Sequence, residues 1–383
     1  MGLKVDDVSK IQDIRFHNLI NTNNVEKGIN ESTKLIIGKC IQTLFGTVSA
    51  KEKHPPLPNP VVFHPYNFSK KYGITHFGIM IPDLPAPHYF LACASMLGAC
   101  GFKVFDIDHA LTKHGPRYTA TLAHGTANST VNGFKAYSMI DEMVIEEEGS
   151  LIKFGKDLEL SGSYPKFYLK SSRENLKVDL ELEATGEITW FCKSKVYNHL
   201  SLLTRYKGVI ESEGVTSSVE GLCTYEYARG VSPYTLTNIS LPRNKKIPIN
   251  FFSYQVINLN DSQQLLFAMV SFMGAPTFVA AYLRTAGKND TKRIDGEVNF
   301  QVLSLKKQPE IAPDGSITPV PEKFRWTIKD KFGALLWEIN GNIDTPMVFG
   351  LGNGFIGGYK WSGTEKNIAI QGRGYIEYVD QRQ

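Results

Sequence analysis

The sequence predicts an all-β protein: two tandem antiparallel β-barrels produced by an internal duplication, behind a short helical N-terminal extension. Three observations predict it. Apolar and polar residues alternate strictly over residues 176–184, and again over 324–329, the period of a strand with one dry and one wet face. The dipeptides Asp295-Gly296, Asp314-Gly315 and Asn340-Gly341 punctuate the second half with turn signals, whereas long helical patterns are scarce. Short motifs also recur in the same order along the chain.

Residues 1–60 form the extension. Leu35, Ile36, Ile37, Cys40, Ile41, Leu44 and Phe45 recur at near-helical spacing after a cap at Ser32 or Thr33, which predicts one amphipathic helix over residues 33–46. Its apolar face would pack on the body, or touch a membrane surface or a partner. His54-Pro55-Pro56-Leu57-Pro58-Asn59-Pro60 excludes helix and central strand and marks a boundary. The first barrel then covers residues 61–247 and the second 248–383, joined around Lys245-Lys246-Ile247-Pro248.

The duplication rests on two matches. Gly221-Leu222-Cys223-Thr224-Tyr225-Glu226-Tyr227 parallels Gly372-Arg373-Gly374-Tyr375-Ile376-Glu377-Tyr378, and Ser95-Met96-Leu97-Gly98-Ala99 parallels Ser271-Phe272-Met273-Gly274-Ala275. The members of the first half lie further apart than those of the second, so the first half carries the insertions.

Composition narrows the function. Hydrophobic residues at 42% and charged residues at 21% fit a globular chain. A net charge of +4, with no run of lysine or arginine, leaves no electrostatic footprint for nucleic acid. Five cysteines without a CxxC pair argue for free thiols in a reducing compartment. Acidic residues directly after the start, with no apolar stretch behind them, predict no secretory signal and a cytoplasmic location. No run of 18 apolar residues predicts a membrane span. A closed barrel of about eight strands encloses room for one small ligand. The 17 Tyr and 22 Phe would give it walls with apolar bodies and some polar tips. The expected partner is therefore a flat or elongated, largely apolar small molecule.

Gly186-Glu187-Ile188-Thr189-Trp190, Tyr197-Asn198-His199-Leu200-Ser201-Leu202-Leu203, the Gly221 repeat, Tyr359-Lys360-Trp361-Ser362-Gly363 and the Gly372 repeat together resemble the AttH-like superfamily, which includes the carotenoid 1,2-hydratases. The segment from Phe77 to His88 is similar to a bacterial branch of that group. The resemblance covers residues 61–383 and implies paired lipocalin-like domains. Better-known members carry an Asp-His-x-Trp type motif in the first half. Tyr197-Asn198-His199 stands nearest to it, with His199 matching, Asn198 in place of the carboxylate and no tryptophan following. The resemblance thus implies a role for His199 but supplies it with no local acidic partner.

Candidate catalytic residues are His199 and Glu226. Proton chemistry on an apolar substrate needs an ionisable group in a dry site, where burial raises a carboxyl pKa toward neutrality and imidazole already titrates. Glu226 lies between Tyr225 and Tyr227 and so points away from both; with Thr224, Glu226 and Ala228 facing a barrel interior it would be a buried acid. The structural alternative pairs it with Arg205 or Arg229 at a barrel end, and its recurrence as Glu377 favours that alternative. Trp190, Tyr225, Tyr227 and Trp361 are candidate pocket walls, or core packing. Asp83 and His88 bracket Leu84-Pro85-Ala86-Pro87 and are candidates for a polar pair held over a barrel mouth, or parts of a plain turn. All nine histidines lie at or before His199, without metal-ligand spacing, so neither a metal nor a cofactor is expected. The glycines around Gly352-Asn353-Gly354 lack the GK[ST] of a phosphate loop and read as strand corners. These features predict a protein that binds a terpenoid, polyketide or lipid in a barrel pocket and performs hydration, dehydration, isomerisation or cyclisation without a cofactor. The competing expectation is a non-catalytic lipid or isoprenoid carrier.

Overall fold

The computed structural model describes residues 31–52, 54–288 and 290–382. One helix, Glu31–Phe45 (α1), precedes two large antiparallel sheets. The first contains Ile74–Ile81 (β1), Leu91–Leu97 (β2), Thr119–Thr126 (β3), Phe134–Ser138 (β4), Met143–Ile145 (β5), Leu151–Phe154 (β6), Leu158–Ser163 (β7), Lys166–Arg173 (β8), Leu176–Lys193 (β9), Tyr197–Ser212 (β10) and Val215–Gly230 (β11). The second contains Ile249–Asn258 (β12), Gln263–Phe272 (β13), Ala275–Thr285 (β14), Asp290–Arg293 (β15) and Val298–Leu305 (β16). After the small ribbon Glu310–Ile311 (β17) and Ile317–Thr318 (β18), it continues with Pro321–Lys329 (β19), Leu335–Ile343 (β20), Val348–Leu351 (β21), Gly354–Glu365 (β22) and Ile368–Asp380 (β23). One sheet curls into a nearly closed barrel and the other into a half-barrel.

The duplication is visible in the strand order. The first sheet runs β4-β3-β2-β1-β11-β10-β9-β8-β7-β6-β5 and the second β15-β14-β13-β12-β23-β22-β20-β19-β16, with β21 beside β22. In each, the first strand of the half pairs with its last, and the first sheet adds β5 and β6 at one edge. The sequence repeats occupy matching places: the glutamate-bearing segments are the last strands β11 and β23, and the Ser95 and Ser271 segments end β2 and β13. Gly98 and Gly274 both turn the chain at positive φ, 87° and 80°.

Alternation sets the faces. In β9, Leu176, Val178, Leu180 and Leu182 are buried while Lys177, Asp179 and Glu183 are exposed. In β19, Phe324, Trp326 and Ile328 are buried in the second barrel. Asp314-Gly315 turns the β17–β18 ribbon. Asn340-Gly341, by contrast, lies inside β20 rather than in a turn. Gly341 opposes Phe324, and a Cβ there would stand 2.1 Å from the ring's Cζ, so this glycine makes room for an aromatic ring. The β19–β20 hairpin turns instead at residues 330–334, where Asp330 accepts hydrogen bonds from the Phe332 and Ala334 amides.

Three cores result. One fills the first barrel and one the second; the third lies between the sheets, where the outward faces of β1, β2 and β11 pack on those of β12, β13, β14 and β23. Helix α1 packs on β14: Gly38 is buried against Thr277, and the Gln42 amide donates to the Thr277 carbonyl. Ile36 and Leu44 point away and are 62% and 56% exposed. No helix among the described residues is long and apolar enough to cross a membrane.

Candidate active site

A cavity of about 170 Å³ opens between the two sheets, roomy enough for a benzene-sized group. Its walls are mostly apolar: Phe45 of α1, Phe102 and Phe105 of the β2–β3 connection, and Phe252, Val270 and Phe278 of the second sheet. Polar groups converge on one part of it: His76, Tyr197, His199, Glu226 and Glu377. The sequence reading expected the pocket inside a barrel. The barrel interiors are instead filled by side chains, and the cavity uses the faces that point out of both barrels.

Strand register assembles the cluster. Glu226 on β11 faces Gly78 of β1 on one side and Ser201 of β10 on the other, two small residues that leave it room. Two residues further along the same face, Ala228 is flanked by His76 on β1 and His199 on β10. Both rings lean diagonally toward the carboxylate, a reach open to long side chains on neighbouring strands. His199 Nε2 lies 3.1 Å from Glu226 Oε2 and His76 Nε2 3.9 Å from the same oxygen. The carboxylate partner that the local sequence denies to His199 thus comes from the neighbouring strand. The Tyr197 hydroxyl lies 3.3 Å from His199 Nδ1, and burial keeps that phenol well above its ordinary pKa, so it donates to Nδ1 and the Nε2 hydrogen faces Glu226. Phe191 packs on the His199 ring, 4.8 Å between centroids.

Burial disfavours the charged form of Glu226, but the His199 hydrogen bond and the two imidazole rings beside the carboxylate outweigh it and hold the group below the ordinary glutamate range. Glu377 has the opposite environment. It is fully buried, faces the negative charge of Glu226 and has the Tyr375 hydroxyl as its hydrogen-bond donor, 2.8 Å away; burial and then Glu226 push it well above the ordinary range. The two carboxyls are therefore pushed in opposite directions, Glu226 toward the ionised form and Glu377 toward the protonated one. Burial brings His76 down to about 4, so it is neutral. Behind the cluster, Arg284 donates to Gln264 and to the Ser201 backbone and hydroxyl; burial lowers it to about 10, which leaves it charged.

The other sequence candidates stand elsewhere. Tyr225 and Tyr227 point into the first barrel, opposite to Glu226, so the face of Thr224, Glu226 and Ala228 is the outer one, not the inner one. Tyr225 stacks on Phe167, 4.0 Å between centroids, and the Tyr227 hydroxyl donates to the His64 carbonyl. Trp190 belongs to the same core and donates from Nε1 to the Pro55 carbonyl, pinning the proline-rich segment to the barrel. Trp361 packs inside the second barrel and donates to the Arg373 carbonyl. None of these four lines the cavity. Asp83 is exposed, while His88 is buried against Ser217, and they form no pair. Arg205 donates to the Asp261 carbonyl and Arg229 lies over the Tyr72 ring; neither pairs with Glu226. Among the described residues no cluster of histidine, cysteine and carboxylate side chains is arranged to hold a metal.

Sequence reasoning missed His76 and read Glu377 as structural. The repeat itself was the usable signal for Glu377: two halves packed through equivalent faces bring their equivalent glutamates to one place.

Two curled antiparallel sheets packed through their outer faces define a double lipocalin-like fold. Within that class the chain belongs to a family of unknown function, DUF6670, whose model matches residues 94–383. A search of the curated proteins finds no match. Among solved structures, a protein of Nitrosomonas europaea assigned as AttH aligns with a TM-score of 0.55 at 12% identity, covering 87% of this chain and 100% of that one. Kievitone hydratase from Nectria haematococca aligns with a TM-score of 0.50 at 13% identity, covering 88% and 98%. These likenesses establish the fold.

Proposed function

We propose that the protein is a cofactor-independent acid–base enzyme that acts on an apolar, unsaturated small molecule held between the two sheets. The observation that carries this reading is a pair of buried carboxyls in one apolar cavity whose surroundings shift their pKa values in opposite directions. Such a split is how one site supplies an acid and a base at the same pH. In the hydration direction, Glu377 gives its proton to one alkene carbon and a new C–H bond forms. Water adds its oxygen to the other carbon, and the water proton passes to the His199–Glu226 pair. The net change is alkene plus water to alcohol, and proton return to Glu377 completes the cycle. Dehydration is the reverse. Isomerisation uses the same acid, with the pair removing an allylic proton instead of activating water. Phe45, Phe102, Phe105 and Phe252 exclude bulk water, and their ring faces favour a developing cation. Kievitone hydratase, named for a hydration, has the same fold; at 13% identity it lends that class plausibility and nothing more specific.

The test is to purify wild type, Glu377→Gln and His199→Ala from the native host and identify co-purifying small molecules by mass spectrometry. Wild type is expected to hold a product, and the variants a precursor that differs by one water or by a double-bond position. The same compound at equal occupancy in all three removes the catalytic reading and favours a carrier.

The carrier reading has one observation of its own. Ile36, Cys40 and Leu44, four residues apart along α1, present an exposed stripe beside the cavity-lining Gln42 and Phe45. That surface suits contact with a membrane from which an apolar ligand could be collected. Flotation with phosphatidylcholine vesicles should then be lost in an Ile36→Glu/Leu44→Glu variant.

A further inference from the structure

The polar end of the cavity holds more acceptors than donors. His76 Nδ1 lies 2.8 Å from the Ser95 carbonyl oxygen, which can only accept, so Nδ1 carries the ring hydrogen. The ring is neutral, and Nε2 turns a bare lone pair toward Glu226 Oε2, 3.9 Å away. The Glu226 carboxylate in turn receives one hydrogen bond, from His199 to Oε2; its Oε1 is buried without a partner. The Glu226 side chain is 3% exposed and His76 12% exposed, so bulk water does not satisfy these atoms. The Tyr254 hydroxyl, buried on the facing sheet, is directed at the same carboxylate without closing to a well-formed hydrogen bond. Two facing acceptors with no hydrogen between them repel, and a buried acceptor left unpaired is destabilising. A hydroxyl that donates its one hydrogen to either acceptor and accepts from Tyr254 would satisfy two of these three atoms at once.

The geometry points to a hydroxyl-binding subsite formed by His76 Nε2 and Glu226 Oε1, selecting ligands that carry an alcohol or phenol O–H at the buried end over ethers, ketones or hydrocarbons of the same shape. This deepens the proposed function and rests on the cavity being the ligand site. It assigns His76 a binding role apart from the Glu377/His199 proton path. Gly78 sets its position: a Cβ there would come within 2.9 Å of His76 Nε2.

The full chain would be titrated with phenol, toluene and anisole, probes that fit the cavity, by calorimetry and by the ¹⁵N signals of histidine side chains. Phenol is expected to bind at least tenfold more tightly than toluene or anisole and to shift the His76 Nε2 signal. Glu226→Gln places an amide donor in the site and should reverse the order, favouring benzaldehyde over phenol. His76→Phe should cut the phenol preference while the protein stays folded by circular dichroism. Equal binding of the three probes, binding without a His76 shift, or no binding at 10-fold the concentration that saturates a generic apolar dye overturns the subsite. Discrimination for phenol in a protein that turns nothing over leaves the subsite standing and removes the enzyme reading instead.

Discussion

Glu226 and Glu377 occupy equivalent strands of two duplicated sheets, yet their surroundings differ. On the first sheet, β1 and β10 bring two histidines to Glu226. On the second, Tyr254 of β12 stands opposite Glu377, and Tyr375 is its hydrogen-bond donor. The shared backbone fixed where the carboxyls lie; the diverged neighbours set the direction in which each is shifted. Duplication thus produced two buried acids, and substitution of the residues around them shifts one toward the ionised and the other toward the protonated form.

The largest break in this comparison is expected from removing either carboxyl's proton chemistry. Glu377→Gln should lower turnover by about 10²–10⁴-fold, the usual contribution of a general acid, with the fold intact because the amide is isosteric with the protonated acid. The same change should also alter the pH dependence of stability. A raised folded pKa gives stability that is full below the ordinary value of 4.5 and lost as pH rises through the folded value, so Glu377→Gln should gain stability over wild type toward neutral pH and not at pH 4. Glu226, with its pKa lowered, contributes above 4.5 and loses that contribution as pH falls, so Glu226→Gln should show the opposite trend. Chemical denaturation at several pH values reads both.

His76 comes next. Its pKa drops from 6.5 to about 4 on folding, so the unfolded chain takes up a proton across that window and stability falls with acidification, by about 3 kcal/mol in all from this group. His76→Gln should remove about one proton from the slope of stability against pH between 6.5 and 4. Gly78→Ala should cost about 1–3 kcal/mol by driving a methyl into the His76 ring and the Met80 side chain, with a shift of the His76 imidazole signals as its mark. The smallest effect belongs to Asp83→Asn: exposed and remote from the cavity, it should change stability by less than about 0.5 kcal/mol and leave ligand binding unchanged.

Much of the fold was legible because it rests on local signals. Alternation in β9 and β19 identified strands and their faces, and the repeated Gly-x₄-Glu-Tyr segments identified strands that prove equivalent. Asn340-Gly341 misled because the dipeptide suits a turn, while here the glycine serves a ring packed across from it. The site was half legible. His199 and Glu226 were found, and the structure puts them in contact. Their surroundings were not found, because period 2 assigns residues to two faces without saying which face looks inward. In most sheets polarity would decide, but residues 222–228 of β11 are buried on both faces, one against the barrel and one against the other sheet. His76 gave no signal at all: its role depends on β1 pairing with β11 across more than a hundred residues of chain.

The split between the duplicated glutamates is read directly by a pH titration of ¹³C-carboxyl-labelled glutamate by NMR. Glu226→Gln and Glu377→Gln would assign the two signals. One buried carboxyl, Glu377, is expected to be protonated at pH 7 and the other, Glu226, to be ionised there and down past pH 4.5. Two carboxyls both ionised at pH 7, or both titrating together near the ordinary glutamate value, would contradict it.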